Sequence, residues 1–146
     1  MQENLKAKGE LKITLTKPNG DKEVHEVKNL IVDTGTAYIA SRMNSTAESV
    51  LSHMAVGTDS TAAAAGNTTL GAESARVGFD TLGVLDNVLT YTATFAAGVA
   101  TGALVEAGLF NASSAGTMLC RTVFPVINKG VDDSLAIDWS VTISAS

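Results

Sequence analysis

Residues 134–144 (SLAIDWSVTIS) decide how this chain is read. Leu135, Ile137, Trp139, Val141 and Ile143 alternate with Ala136, Asp138, Ser140, Thr142 and Ser144. Successive side chains of a β-strand point to opposite faces, so this period of two places five apolar residues on one face of a sheet. Working back along the chain, three more segments are rich in Val, Ile, Thr, Leu and aromatics: residues 87–95 (NVLTYTATF), 101–110 (TGALVEAGLF) and 117–124 (TMLCRTVF). Each is bounded by Gly, Asn, Asp or Ser. The apolar face of the last strand is expected in the core with Phe95, Leu109, Phe110, Val123 and Phe124.

The N-terminal half continues the pattern. Residues 10–17 (ELKITLTK) carry Leu11, Ile13 and Leu15 on one face. Pro18-Asn19-Gly20-Asp21 follows as a turn, because Pro presets one φ and Asn-Gly accepts positive φ. Residues 22–28 return as a charged strand running into Asn29-Leu30-Ile31-Val32, and their charges suit the edge of a sheet. Residues 33–44 (DTGTAYIASRMN) are the best helix candidate, capped by Asp33 or Thr34, with Ala37, Ile39, Ala40 and Met43 on an apolar face. Residues 50–56 read as a strand, and residues 59–69 (DSTAAAAGNTT) as a loop. Residues 70–76 suggest a short turn of helix, and 77–84 a weak strand. Many short strands with one short helix predict a mainly β fold: a single antiparallel β-sandwich, Greek-key or jelly-roll-like. The sandwich is expected over residues 10–146. Residues 1–9 (MQENLKAKG) show no hydrophobic periodicity and are expected as an extended arm whose Met1, Gln2, Glu3, Asn4, Leu5 and Lys6 bind a neighbouring subunit.

Composition bounds the function. At 146 residues the chain fits one domain able to bury roughly 70% of its unfolded surface. A net charge of −5 speaks against a partner that is nucleic acid, whose backbone needs a basic face. Neither a leader sequence nor a membrane span is expected from the polar N-terminal residues and the Gly-, Thr- and Ser-rich small-residue runs. The single Cys120 has no internal disulfide partner, consistent with assembly in a reducing cytoplasm.

Residues that could carry chemistry read better as structure. His25 and His53 lack a second His, Cys or carboxylate at metal-ligand spacing, so no metal and no cofactor is expected. Cys120 on a strand is more often a small buried apolar residue than a nucleophile. Asp132-Asp133 reads as a solvated turn, short of the oxygens a calcium loop needs. Glu106 interrupts an otherwise apolar strand, and a buried carboxylate must be paired. Arg121 on the next strand is the partner expected, with Arg76 also within reach, and no catalytic residue is assigned.

Several segments form a series in a fixed order: His53-Met54-Ala55-Val56-Gly57-Thr58, Leu70-Gly71-Ala72-Glu73-Ser74-Ala75-Arg76, Thr90-Tyr91-Thr92-Ala93-Thr94-Phe95 and Glu106-Ala107-Gly108-Leu109-Phe110-Asn111. Met118-Leu119-Cys120-Arg121-Thr122-Val123-Phe124, Asn128-Lys129-Gly130 and the strand through Trp139 complete it. The series resembles small virion structural proteins of tailed bacteriophages, and a similar one occurs at the baseplate-proximal end of tail-fibre proteins. The resemblance implies a non-enzymatic structural protein located in the virion. Without a fibre shaft after the sandwich, the expectation is a capsid decoration (cement) protein. Its partners would then be the major capsid protein and other copies of itself, as a homo-oligomer (dimer or trimer). A tail accessory protein of the collar, baseplate or fibre attachment, contacting tail or fibre proteins, is the alternative. A carbohydrate-binding β-sandwich using Tyr38, Tyr91 or Trp139 is a second.

Overall fold

The computed structural model describes residues 5–44 and 48–145. Ten strands and one helix follow in order: β1 (Leu5–Thr16), β2 (Lys22–Lys28), β3 (Leu30–Ile31), α1 (Asp33–Ser41), β4 (His53–Gly57), β5 (Glu73–Gly78), β6 (Thr81–Leu85), β7 (Val88–Phe95), β8 (Gly102–Phe110), β9 (Met118–Lys129) and β10 (Ser134–Ala145). They form two five-stranded antiparallel sheets, ordered β2-β1-β10-β7-β6 (sheet A) and β3-β9-β8-β4-β5 (sheet B). The protein is a mainly β antiparallel sandwich with one short helix.

The stretch that decided the reading is the spine of sheet A. β10 pairs along its length with β1 (Leu11 opposite Trp139, Ile13 opposite Ile137) and on its other side with β7 (Trp139 opposite Tyr91). Leu135, Ile137, Trp139 and Val141 are buried, as are Leu11, Ile13 and Leu15 of β1 and Tyr91, Ala93 and Phe95 of β7. They pack against Met54, Val56, Leu104, Leu109, Phe124 and Ile127 of sheet B. The Trp139 indole N–H donates to Asn29 Oδ1 at 2.8 Å, so the largest core side chain keeps its polar atom satisfied. Ile143 and Val123, expected in the core, are only half-buried. Ile143 lies near the end of β10, where the sandwich opens, and Val123 lies between buried neighbours on β9.

The chain changes sheet four times, and these crossings account for most departures from the sequence pattern. A single residue, Asn29, separates β2 from β3, so the run through residue 32 is two strands in different sheets. The weak strand expected over 77–84 is likewise two: β5 ends at Gly78, Phe79-Asp80 cross, and β6 begins at Thr81. Residues 73–76, expected as a turn of helix, are the start of β5, which pairs with β4. Edge pairing overrides the weak local helical preference there. β9 runs past Pro125 to Lys129. Pro125 is tolerated because β3 pairs only with Cys120 and Arg121, leaving β9 free on that side at Pro125.

At the N-terminus, residues 5–9 belong to β1 and pair with residues 141–145 of β10, so the sandwich starts within the expected arm. Met1, Gln2, Glu3 and Asn4 lie outside the described residues. Helix α1 also differs from expectation. Val32 occupies the N-cap position without a side-chain cap bond. Thr34 Oγ1 instead donates to the Met118 carbonyl at 3.0 Å, docking the helix on β9. Its buried residues are Gly35 and Tyr38, while Ala37, Ala40 and Met43 are exposed. Gly35 sets this face, because a Cβ there would overlap the Leu119 carbonyl oxygen.

Candidate functional site

Strand alternation on β8 and β9 directs one set of side chains away from the main core, onto the outer face of sheet B. Glu106, Gly108 and Phe110 of β8 share this face with Ala55 of β4, Arg76 of β5, and Met118 and Arg121 of β9. It is not solvated. Ala55, Phe110 and Met118 form a second small core with Val32 and with Leu70, which the 58–72 loop inserts from above.

Glu106 is fully buried and Arg121 is 2% exposed. Nε and Nη2 of Arg121 both donate to Glu106 Oε2, at 3.0 and 2.8 Å. The same carboxylate takes three backbone N–H groups of the loop: Gly71 at 2.9 Å on Oε2, and Ala72 at 2.7 Å and Asp59 at 3.3 Å on Oε1. Arg121 returns the contact to the loop, with Nη1 donating to Asn67 Oδ1 at 3.2 Å and Nη2 to the Asp59 carbonyl at 3.3 Å. The buried pair therefore joins β8 to β9 and clamps residues 59–72 to the sheet from both ends. Charge-assisted bonds of this kind are roughly twice as strong as neutral ones. They are needed here because the loop offers little apolar surface.

The surrounding residues are shaped to this clamp. A Cβ on Gly57 would overlap the Ala72 carbonyl oxygen and Glu106 Oε1, and one on Gly71 would overlap the Asp59 carboxylate. Asp59 folds back on its own loop, accepting from Thr61 N at 3.0 Å and Thr61 Oγ1 at 2.8 Å. These bonds hold its carboxyl below the usual carboxylate range, with nearby Arg121 adding to the effect. Arg76, the other partner considered for Glu106, pairs instead with Glu73 through Nε at 3.1 Å and Nη2 at 2.7 Å. It also donates to the carbonyls of Ala112 and Ala115, and its guanidinium carbon lies 3.7 Å over the Phe110 ring.

The remaining candidates are separate from one another. Cys120 is fully buried in the main core, and desolvation pushes its thiol pKa far upward, which removes nucleophilic character. His53 Nδ1 shares a 2.7 Å hydrogen bond with Ser52 Oγ, and His25 Nε2 faces Glu23 at 3.2 Å. Tyr38, Tyr91 and Trp139 are all buried, so none offers a ring for stacking on a sugar. Among the described residues no three His, Cys, Asp or Glu side chains converge as a metal site, and no helix is long and apolar enough to cross a membrane.

The reading of residues 132–133 as a solvated turn holds for Asp132, which is exposed in the β9–β10 turn, but not for Asp133. Asp133 is buried, accepts from Gly130 N at 2.7 Å, and pairs with Lys17 Nζ at 2.9 Å. The Lys17 and Gly130 bonds hold its carboxyl below the ordinary range. Lys129 beside it is also buried and donates to the Ala96 carbonyl at 3.0 Å, its pKa lowered by desolvation. Sequence reasoning passed over this cluster because the register shift beside Pro125 moves the inward phase of β9 from Cys120 and Phe124 to Ile127 and Lys129, which no alternation in the sequence announces. It also gave Gly57, Asp59, Asn67 and Gly71 no part in the clamp, since a strand-end glycine and loop residues carry no local sign of it.

Compared with known proteins, the chain matches no family model, no curated protein and no solved structure.

Proposed function

We propose that this protein is a non-enzymatic structural component of a tailed-phage virion, acting as a capsid decoration (cement) protein. One observation carries the reading. Four of the segments through which the sequence resembles phage virion proteins, residues 53–58, 70–76, 106–111 and 118–124, are far apart in the chain, yet they meet at the clamp. Gly57, Leu70, Gly71, Glu73, Arg76, Glu106, Gly108, Phe110 and Arg121 all lie at or beside the outer face of sheet B. These four segments together build one device, a roofed sheet face, while residues 90–95 and 134–144 belong to the other sheet.

The chemistry of that device supports a structural role. Both oxygens of Glu106 and the Arg121 guanidinium are engaged by the clamp, which fixes the loop to the sheet. A rigid sandwich with a pinned surface loop suits repeated, modest contacts with a shell and with further copies.

Mass spectrometry of purified virions, quantified against the major capsid protein, tests the proposal. Copies on the scale of the capsid protein are the expected result. A copy number matching one ring at the neck or baseplate would move the protein to the tail accessory class. Absence from particles would overturn the virion reading.

A further inference from the structure

We propose that the chain pairs head to tail with further copies of itself, residues 5–8 of one copy adding as a strand to the free edge of β6 in the next. The inference rests on the self-association contained in the reading above and names its surface. The two sheets end in four edge strands. β2 (KEVHEVK) is highly charged, β5 (ESARVG) carries Glu73 and Arg76, and β3 is two residues long. Charge and shortness are the usual guards against stray pairing at a sheet edge. β6 (TLGVL) has neither guard: it carries no charge, and Leu82, Val84 and Leu85 are 54%, 70% and 76% exposed. It also borders an apolar groove of about 400 Å³ lined by Leu82, Val84, Leu89, Ile39, Val50 and Ile143.

The complementary edge lies on the opposite side of the same sheet. β2 covers β1 only over residues 10–16, so residues 5–8 run beyond it. The Gly9 carbonyl points to that side, where it accepts from Asn29 N at 3.1 Å. Leu5 and Ala7 share its phase, so their backbone groups face outward along the edge. Leu5 is 73% exposed.

Direction, face and charge all fit. In the order β2-β1-β10-β7-β6 every neighbouring pair is antiparallel, so β1 and β6 run oppositely. Continuing the sheet into a second copy of the same orientation therefore sets residues 5–8 antiparallel to β6. Leu5 and Ala7 are in phase with inward-facing Leu11, which puts them on the groove side with Leu82 and Val84. Lys6 and Lys8 fall on the outer side, the side on which Asp80 at the start of β6 accepts from Thr94 Oγ1. Pairing of β6 with a second β6 would instead oppose Asp80 of one copy to Asp86 of the other. A head-to-tail contact of this kind closes into a ring when the rotation between copies permits.

Complementation between two variants of the full chain tests this by sedimentation velocity and native mass spectrometry. Val84→Lys blocks the β6 edge and Leu5→Asp blocks the β1 edge, and both positions are exposed, so urea midpoints close to wild type serve as the folding control. Wild type is expected as an oligomer and each variant as a monomer. Their equimolar mixture should form a one-to-one complex, since each retains the half that the other lacks. Leu5→Asp assembling like wild type, or a mixture that stays monomeric, overturns the pairing. A monomeric wild type also overturns it, while the virion reading stands or falls separately on the particle mass spectrometry.

Discussion

The two sheets have five strands each and share one core, yet they treat their outer faces in opposite ways. On sheet A, Glu10, Lys12, Glu26, Lys28, Thr90 and Asp138 face water across an open groove of about 630 Å³. On sheet B the corresponding face is roofed by residues 58–72 and holds a buried carboxylate and guanidinium. Water satisfies the polar groups of the first face. The second must satisfy every one internally, and its roof must also be held down. Ordering a loop residue costs on the order of 1–2 kcal/mol of backbone entropy, and only Leu70 of the roof reaches the small core. The clamp supplies what apolar burial does not.

The largest expected effect follows from that difference. Glu106→Met leaves the N–H groups of Gly71, Ala72 and Asp59 without their acceptor and the buried Arg121 charge without its carboxylate, hydrogen-bonded only to Asn67 Oδ1 and the Asp59 carbonyl. Removing one partner of a buried pair typically costs about 3–5 kcal/mol. Arg121→Met should cost less, because Glu106 keeps its three backbone donors. Urea unfolding of both variants checks the order. Equal losses, or a Glu106 effect below about 1 kcal/mol, would mean that the roof is held by something other than this carboxylate.

Next in size is Gly57→Ala. Its new Cβ would meet the Ala72 carbonyl oxygen and Glu106 Oε1, and backbone cannot swing aside as a flexible side chain can. Overpacking of this kind costs about 1–3 kcal/mol. Hydrogen exchange should show the loss concentrated in residues 58–72, with β1, β7 and β10 protected as in wild type.

The same contrast explains what could be read from the sequence. Sheet A announces itself, because one wet face and one dry face give strict alternation in β1 and β10. Sheet B is covered on both faces over β4, β8 and the first half of β9, so its strands read as near-continuous apolar runs. Only the charge of Glu106 within such a run betrayed a second dry face, and Arg121 could be named because it too sits in an apolar strand. The roof itself was illegible. DSTAAAAGNTT carries no pattern, and its order comes from backbone N–H groups that any residue but proline possesses. The sheet crossings at Asn29 and at Phe79-Asp80 were hidden for a related reason, since chains that switch sheets without a loop leave no break in composition.

A further effect belongs to the β9–β10 turn. The Asp133 carboxyl is held below its unfolded value by Lys17 and the Gly130 N–H. A depressed carboxyl contributes stability that is fully present above the ordinary aspartate range and is lost as pH falls through its folded value. Wild type should therefore lose stability on acidification below the ordinary aspartate pKa, and Asp133→Asn should show a shallower acid limb along with a lower plateau at neutral pH. Denaturant midpoints measured from neutral pH downward check this, and parallel acid limbs would remove Asp133 from the account.

The smallest effect is expected on the bare face, and it sharpens the comparison through salt. Lys12 stands between Glu26 of β2 and Asp138 of β10 in the cross-strand register, all three exposed. Directly opposed charges across strands contribute roughly 0.2–1 kcal/mol, and exposed pairs fall toward the low end. Lys12→Gln should therefore cost within about 0.5 kcal/mol, while Lys12→Glu places three acids in one row and should cost somewhat more. The Debye length shrinks from about 10 Å at 0.1 M salt to about 3 Å at 1 M, so the Lys12→Glu penalty should largely vanish in high salt. The Glu106→Met penalty should persist, because its charges and N–H groups are sealed from the ions. A Lys12→Glu penalty that survives high salt would mean that the outer face of sheet A is shielded from ions in solution, which would break the contrast with the roofed face of sheet B.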